Sequence, residues 1–353
     1  MSPELLSRQR VLLLVLAVVR PAFVFLVLTI AFIGSAQAGL STDSRVAFTL
    51  ALSIVGWSLF AATINDLGDR DVDRANLGHT GGRPLAKEGA DRRLPVVVLA
   101  ASAIVSLGAA ATLSLATTLV MLNGLGLAAA YSLPPLRLSA RGTLTSLILP
   151  SIYVGVPFLA GRWAVDTSFG NNDLIVVIGL YVSFIGRLLL KDFRDHLGDQ
   201  LYGKRTFLVR HGRRRTCAVS LVLWVVGAAL LAVSQQSASL AALWIPLAAI
   251  AVVYIVKVGN DEWGNGDVYN ITVIAIVGRG TLLMLLANVG MDQVRGGAMA
   301  WWAVQAGLAL VTVMSAARFA LATRQHGASP LPANLDFPAP KWTSASAIVR
   351  SGE

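Results

Sequence analysis

Two acidic runs carry the chemistry legible in this chain. Residues 65–73 read N-D-L-G-D-R-D-V-D, and residues 191–199 read K-D-F-R-D-H-L-G-D. In the first, Asp66, Asp69 and Asp73 stand at i, i+3 and i+7. In the second, Asp192, Asp195 and Asp199 repeat that spacing. On a helix such positions share one face. Three carboxylates on one face repel one another unless a cation lies between them. A solvated acidic loop is the plain alternative for either run alone, but the matched spacing favours a paired site. Oxygen-rich clusters suit hard cations such as Mg²⁺, which in turn hold phosphates. Cations accompany both runs: Arg187, Lys191 and Arg194 beside the second, Lys204 and Arg205 just after it, and Arg83 after the first. Carboxylates for metal, mixed with Lys and Arg, suit a diphosphate bridged by Mg²⁺.

The elements that must position these residues are membrane helices. The chain has 353 residues, 55% hydrophobic and only 14% charged, with a mean hydropathy of +0.67. That is too apolar for a soluble domain and predicts a polytopic membrane protein in a lipid bilayer. Apolar segments of spanning length lie near 11–36, 46–64, 94–114, 117–135, 143–162, 173–190, 216–234, 240–257, 270–290 and 299–320. Arg8 and Arg10 precede the first, and Ser35–Gly39 resembles a signal-peptidase site. The run is longer than a signal-peptide core, so it reads as a retained first transmembrane helix. Two units follow: a transmembrane unit over 1–322 and a Pro-, Ser- and Ala-rich tail over 323–353, expected to be disordered and cytoplasmic.

The net charge of +10 fits positive-inside topology better than nucleic-acid binding, because no basic patch is interleaved with stacking aromatics. The stretches 65–93, 136–142 and 191–215 hold most of the internal Lys and Arg. Counting them places the N-terminus and the three basic loops in the cytoplasm, with both acidic runs on that side of the cell membrane. Cys217, the single cysteine, excludes an internal disulfide framework, and the four histidines show no zinc or haem spacing. The two acidic runs, each followed by a Gly- and Arg-bearing loop, suggest pseudo-symmetric halves of one bundle.

Other residues draw notice. Arg20 falls within the first apolar segment, just ahead of Pro21, where a cation is costly unless it faces the bundle interior or snorkels. It is a candidate partner for a phosphate or an acceptor carboxylate. Arg279, between Gly278 and Gly280, is a weaker parallel. Tyr131-Ser-Leu-Pro-Pro-Leu-Arg-Leu138 ends a helix abruptly at its double proline. Arg137 and Arg141 there suit either a plain basic loop or a site.

Together these residues resemble the UbiA superfamily of intramembrane prenyltransferases. The first run, with Asn65, matches that family's NDxxDxxxD, and the second its other Asp-rich motif. Arg20-Pro21, Gly81–Leu85, Tyr131–Leu138 and Gly203–Arg210 are also similar to family segments. The resemblance implies an all-α bundle of nine core transmembrane helices, to which 299–320 adds a C-terminal one. It implies two Mg²⁺ ions held by Asp66, Asp69, Asp73, Asp192, Asp195 and Asp199 as metal-binding and catalytic residues. The donor would be an isoprenoid diphosphate met by Asn65, Arg20, Arg83, Arg187, Lys191, Lys204, Arg205 and Tyr131. The acceptor would be an aromatic or quinone-precursor molecule. Arg187 is a departure, since family members often carry tyrosine there. A membrane terpene cyclase, or transfer to a non-aromatic acceptor, uses the same site and stays open. A transporter fits less well, because transporters place polar groups near the bilayer midplane rather than at helix ends.

Overall fold

In hydrocarbon every backbone N–H and C=O must bond within its own segment, so long apolar runs become helices. The computed structural model describes residues 20–39, 44–69, 93–201, 206–234, 238–261, 264, 266–292 and 298–325, apart from some side chains, those of 194–201 among them. The described residues are helical with short connections, and no strand occurs among them. The helices are α1 (Pro21–Gln37), α2 (Ser44–Gly68), α3 (Arg93–Ala111), α4 (Leu115–Ser132), α5 (Thr143–Pro150), α6 (Val156–Val165), α7 (Asn171–Leu201), α8 (Phe207–Ser234), α9 (Ala238–Asn260), α10 (Asp267–Asp292) and α11 (Ala298–Gln325). α5 and α6 are one rod interrupted by a π turn at Ser151–Gly155. Each of the ten apolar segments therefore coincides with a rod. Six rods are long and apolar enough to cross a membrane, and four more are shorter apolar stretches. The fold is an all-α bundle of a multi-pass membrane protein.

Two expectations change. The first apolar segment is not one helix from residue 11: α1 starts at Pro21, and Arg20 before it is left-handed at φ 50°. Proline disfavours a helical conformation in the residue preceding it, so the helix begins there. Residues 11–19 lie outside the described residues. At the other end α11 runs to Gln325, past the expected boundary at 322. The tail beyond it is likewise outside.

α1 is the shared centre. Leu26, Ile30 and Ile33 belong to a core formed with the π turn and α6 to α10, while Val27 and Ala31 belong to a second core with α2, α3, α4 and α6. A helix buried on both faces must be apolar all round, as α1 is. Its partner α6 approaches through glycine. A Cβ on Gly161 would meet the Ala31 carbonyl oxygen at 1.8 Å, and one on Gly34 the Phe158 oxygen at 2.2 Å. Such small-residue contacts let backbones pack closely where hydrophobic driving force is absent.

α7, 31 residues long, carries its two polar ends to opposite ends of the bundle. Asp173 and Asp192 are separated by roughly 28 Å at the helical rise. At the Asp173 end, Arg162 Nε donates to Asp173 Oδ2 at 3.0 Å and its Nη1 to the Asp166 carbonyl at 2.8 Å, tying α6 to α7. In that connection the Ser168 hydroxyl, foremost, holds the Asp166 carboxyl below its usual range.

The close α1–α6 approach makes a direct prediction. Gly161→Ala should lower the unfolding midpoint in detergent, at an overpacking cost of about 1–3 kcal/mol. Gly126→Ala on α4, where a Cβ meets nothing within 4 Å, should leave it unchanged. Equal midpoints for the two variants would remove the close contact as a determinant of stability.

Candidate functional site

The first acidic run closes α2. Asp66 is 2% exposed, and its Oδ1 accepts a hydrogen bond from Arg20 Nη2 at the start of α1. A buried carboxylate without a counter-charge would be strongly disfavoured, so this pair fixes where α1 begins relative to where α2 ends. Helical bonding continues one residue past Gly68, because Asp69 N donates to the Asn65 carbonyl at 2.9 Å. The Asn65 side-chain amide donates to Asp69 Oδ2 at 3.0 Å. Asn65 and Asp69 are thus bonded to each other, and Asp66, next to Asn65 in sequence, to Arg20. Asp73 and Arg83 lie outside the described residues.

The second run ends α7. Lys191 and Asp192 line a cavity of about 430 Å³ together with Tyr131, Ser139, Thr145 and Thr206. Asp195 and Asp199 continue the same helix, with their side chains outside the description, and Lys204 and Arg205 lie outside it altogether. The two runs meet through the end of α4. Gly68 packs so closely on Ser132 that a Cβ would touch its carbonyl at 2.4 Å, and Tyr131, one residue earlier, lines the cavity of Lys191 and Asp192. Both runs therefore stand at one end of the bundle. Among the described residues no three acidic, His or Cys side chains gather as a metal site. The acids that complete each set of three are those outside the described side chains.

Deeper in the bundle lies a second, mostly apolar cavity of about 660 Å³, lined by Ile30, Val154, Leu180, Phe184, Trp224 and Trp244 among others. Arg187 opens into this cavity and not into the one around Lys191. The π turn helps to shape it. Pro157 lacks the N–H that a regular helix would use, and the Val156 N–H reaches back five residues to Ser151. The turn presents Val154 to the cavity and Tyr153 to a row of rings. Phe23 lies 4.8 Å from Tyr153 and 6.2 Å from Trp57, and Tyr153 lies 5.2 Å from Phe184, between ring centres.

Sequence reasoning left Arg137 undecided and missed the pair formed by Arg213 and Asp267. Arg137 Nη2 donates to the Gly68 carbonyl at 3.0 Å and lies 3.9 Å from Asp69, so it serves the first acidic run. Arg213 forks onto Asp267, Nη1 to Oδ1 and Nη2 to Oδ2, both at 2.7 Å. Its Nη1 also donates to the Val258 carbonyl. The guanidinium caps the ring of Phe193, next to Asp192, at 4.9 Å. α8 can turn toward this contact because Gly212 takes φ 77° inside it, a region most side chains avoid. The start of α8, the end of α9 and the start of α10 are thereby fastened against α7 beside its acidic run. Arg213 stood in the sequence as one of three consecutive arginines in a basic loop.

Comparison with known proteins agrees with this architecture. The sequence pattern of the UbiA prenyltransferase family matches residues 25–268. Chloroplastic chlorophyll synthase of Oryza sativa subsp. japonica is 28% identical over 163 residues, 43% of this chain and 42% of that protein. Digeranylgeranylglyceryl phosphate synthase of Halobacterium salinarum is 33% identical over 204 residues, 56% of this chain and 68% of that protein. The alignments to the plant and Chloroflexus aurantiacus relatives span about half the length of those proteins or less. Among solved structures, a UbiA homolog from Archaeoglobus fulgidus bound to GPP and Mg²⁺ superposes with a TM-score of 0.60. It is 20% identical and covers 80% of this chain and 99% of its own.

The Arg213 contact can be tested without substrate. Asp267 is 8% exposed on its side chain and Arg213 23%, so Asp267→Ala leaves a half-buried guanidinium unpaired. The expected loss is about 3 kcal/mol, measured by unfolding in detergent, and Asp267→Glu should recover most of it. A variant as stable as the parent would show that the pair does not fasten these helices.

Proposed function

The chain belongs to the UbiA prenyltransferase family, and from that premise we propose that it is a membrane prenyltransferase that moves an isoprenoid chain from an allylic diphosphate to an electron-rich acceptor, releasing diphosphate. The observation that carries this reading is the juxtaposition of two acidic runs with an apolar cavity. Charged groups stand at one end, where Asp66 meets Arg20 and Asp192 stands beside Lys191. Below them lies the space lined by Ile30, Leu180, Phe184 and Trp224. An allylic diphosphate has this polarity, with a charged head and a hydrocarbon tail.

The donor set suits Mg²⁺: carboxylate and amide oxygens of Asn65, Asp66 and Asp69, with no soft ligand among them. Asp66, Asp69 and Asp73 would hold one ion, and Asp192, Asp195 and Asp199 a second. Bound there, Mg²⁺ would neutralise the diphosphate and make it a better leaving group. The Archaeoglobus fulgidus homolog described as bound to GPP and Mg²⁺ supports both the metal and the donor class.

The chain's own residues supply the rest. Arg20, Lys191, Arg83, Lys204 and Arg205 meet the charge that grows on the departing oxygens. As the donor's C–O bond breaks, positive charge develops on the allylic carbon. The rings of Phe184, Trp224 and Trp244, which line the apolar cavity, would offer electron-rich faces and keep water away. An acceptor carbon then bonds to the allylic carbon and gives up its proton. An aromatic or quinone-precursor ring fits this step because it stabilises the intermediate before proton loss. The Lys and Arg of the basic loops support an acidic end that faces the cytoplasmic side of the cell membrane, where soluble diphosphate can leave.

Diphosphate release from purified protein in detergent tests this reading, with Mg²⁺ and allylic diphosphates of increasing length, with and without phenolic acceptors. Release should stop on chelation and return with Mg²⁺. Asp66→Ala and Asp195→Ala should each lower it at least about 10²-fold while the protein still inserts. Full activity in either variant sinks the two-metal assignment. Release that needs no acceptor and gives hydrocarbon or alcohol would replace transfer with cyclisation.

A further inference from the structure

Arg279 stands at the middle of α10, twelve residues after Asp267 and thirteen before Asp292. At the helical rise it is roughly 18 Å from one end and 20 Å from the other. In a hydrocarbon layer about 30 Å thick it lies near the midplane. A cation at that depth is costly unless an opposite charge or a polar group meets it. Among the described residues Arg279 makes no hydrogen bond and no ion pair. We propose that this face of α10 is an interface for another membrane protein, whose transmembrane helix brings an Asp or Glu to mid-depth opposite Arg279. The proposal goes beyond prenyl transfer and does not depend on it.

The neighbours of Arg279 define the direction it takes. Gly278 lines the deep cavity, where a Cβ would meet the ring of Trp224 at 3.2 Å. Gly280 packs on α11, where a Cβ would overlap the side chain of Thr312. Successive residues turn by about 100°, so Arg279 is carried away from both, and it is not among the residues lining the deep cavity. Val268, eleven residues earlier and so three turns along the same face, is 63% exposed. Thr272, Ala275, Leu283 and Leu286 flank Arg279 at four and seven residues on either side, and all are only half-buried. The guanidinium therefore belongs to an outer face of the bundle. Thr272 and Ala275 are small, which lets another helix come close on that face.

Neither the bilayer nor a second copy of this chain supplies the anion. Lipid head groups lie about 15 Å away at either interface, farther than a side chain reaches. The chain has 19 Asp and Glu, yet within its ten apolar segments only Asp173 occurs, at the first residue of its segment. Asp173 is already bonded to Arg162 at one end of the bundle. A second copy would thus bring no carboxylate to the midplane. A carboxylate on a different helix neutralises Arg279 and is in turn held ionised by it. Both charges then leave lipid for a protein interface, which makes the contact selective for helices that carry a mid-span acid.

A synthetic transmembrane helix tests this. The probe has about 20 leucines and alanines between lysine flanks, with one Glu at its centre, and the control carries Gln there. Association is read as fluorescence energy transfer between labelled protein and labelled peptide in phosphatidylcholine vesicles. The parent should hold the Glu peptide at an at least about 10-fold lower peptide fraction than the Gln peptide. Arg279→Leu should bring the Glu peptide to the level of the Gln peptide, and Arg279→Lys should restore part of the preference. The unfolding midpoint of Arg279→Leu in detergent should be no lower than that of the parent, since the guanidinium bonds to no described residue of the chain. Equal association of the two peptides with the parent would overturn the proposal, as would a preference that survives in Arg279→Leu. A lowered midpoint would overturn it too and assign Arg279 to packing within the chain. Displacement of the Glu peptide by phosphatidylglycerol would assign the cation to a lipid head group instead. No Mg²⁺ or allylic diphosphate enters the assay, so its outcome is separate from that of the prenyl-transfer reading.

Discussion

The structure depends on the contact between Arg20 and Asp66. A carboxylate as deeply covered as Asp66 is tolerated only with an opposite charge at hand, and breaking such a pair costs about 3–5 kcal/mol. Arg20 can supply the charge because Pro21 stops the helix beside it and leaves it left-handed, outside the regular backbone of α1. The pair joins the first turn of α1 to the last turn of α2. α1 is also the helix whose two faces enter both hydrophobic cores. The placement of one ion pair at the polar end is thereby linked to the packing of the whole bundle.

Much of this was legible from local pattern. Each apolar segment became a rod, because hydrocarbon leaves helices as the open solution for a single chain segment. The acidic runs were found at helix ends as their position after each apolar segment required. Arg20, expected to meet a phosphate or an acceptor carboxylate, stands at the mouth of α1 and pairs with Asp66 of the first run. What escaped the sequence was contact between distant segments. Arg213 and Asp267 are 54 positions apart, and Arg137 and Gly68 are 69 apart. Their meeting depends on how far each helix is rotated about its axis, which hydropathy does not record in a bundle that is apolar on most faces. The turn at Gly212 is of the same kind: the sequence shows a glycine among arginines, and only the neighbouring helices make its positive φ necessary.

Arg187 shows how fine that limit is. The sequence puts it four residues before Lys191, on the same face of α7 by helical spacing, and so among the groups expected to meet one substrate. The structure assigns the two cations to different cavities.

The arrangement follows the polarity of an amphiphile. Charged groups gather where α1, α5, α8 and α10 begin and where α2, α4 and α7 end, and apolar side chains fill the next turns inward. The same gradient that lets each helix sit in a bilayer, polar at its ends and apolar between, provides a binding surface for a molecule with a charged head and a hydrocarbon tail. No separate soluble domain is needed to shield the reacting carbon from water, because the bundle that satisfies the membrane also excludes water.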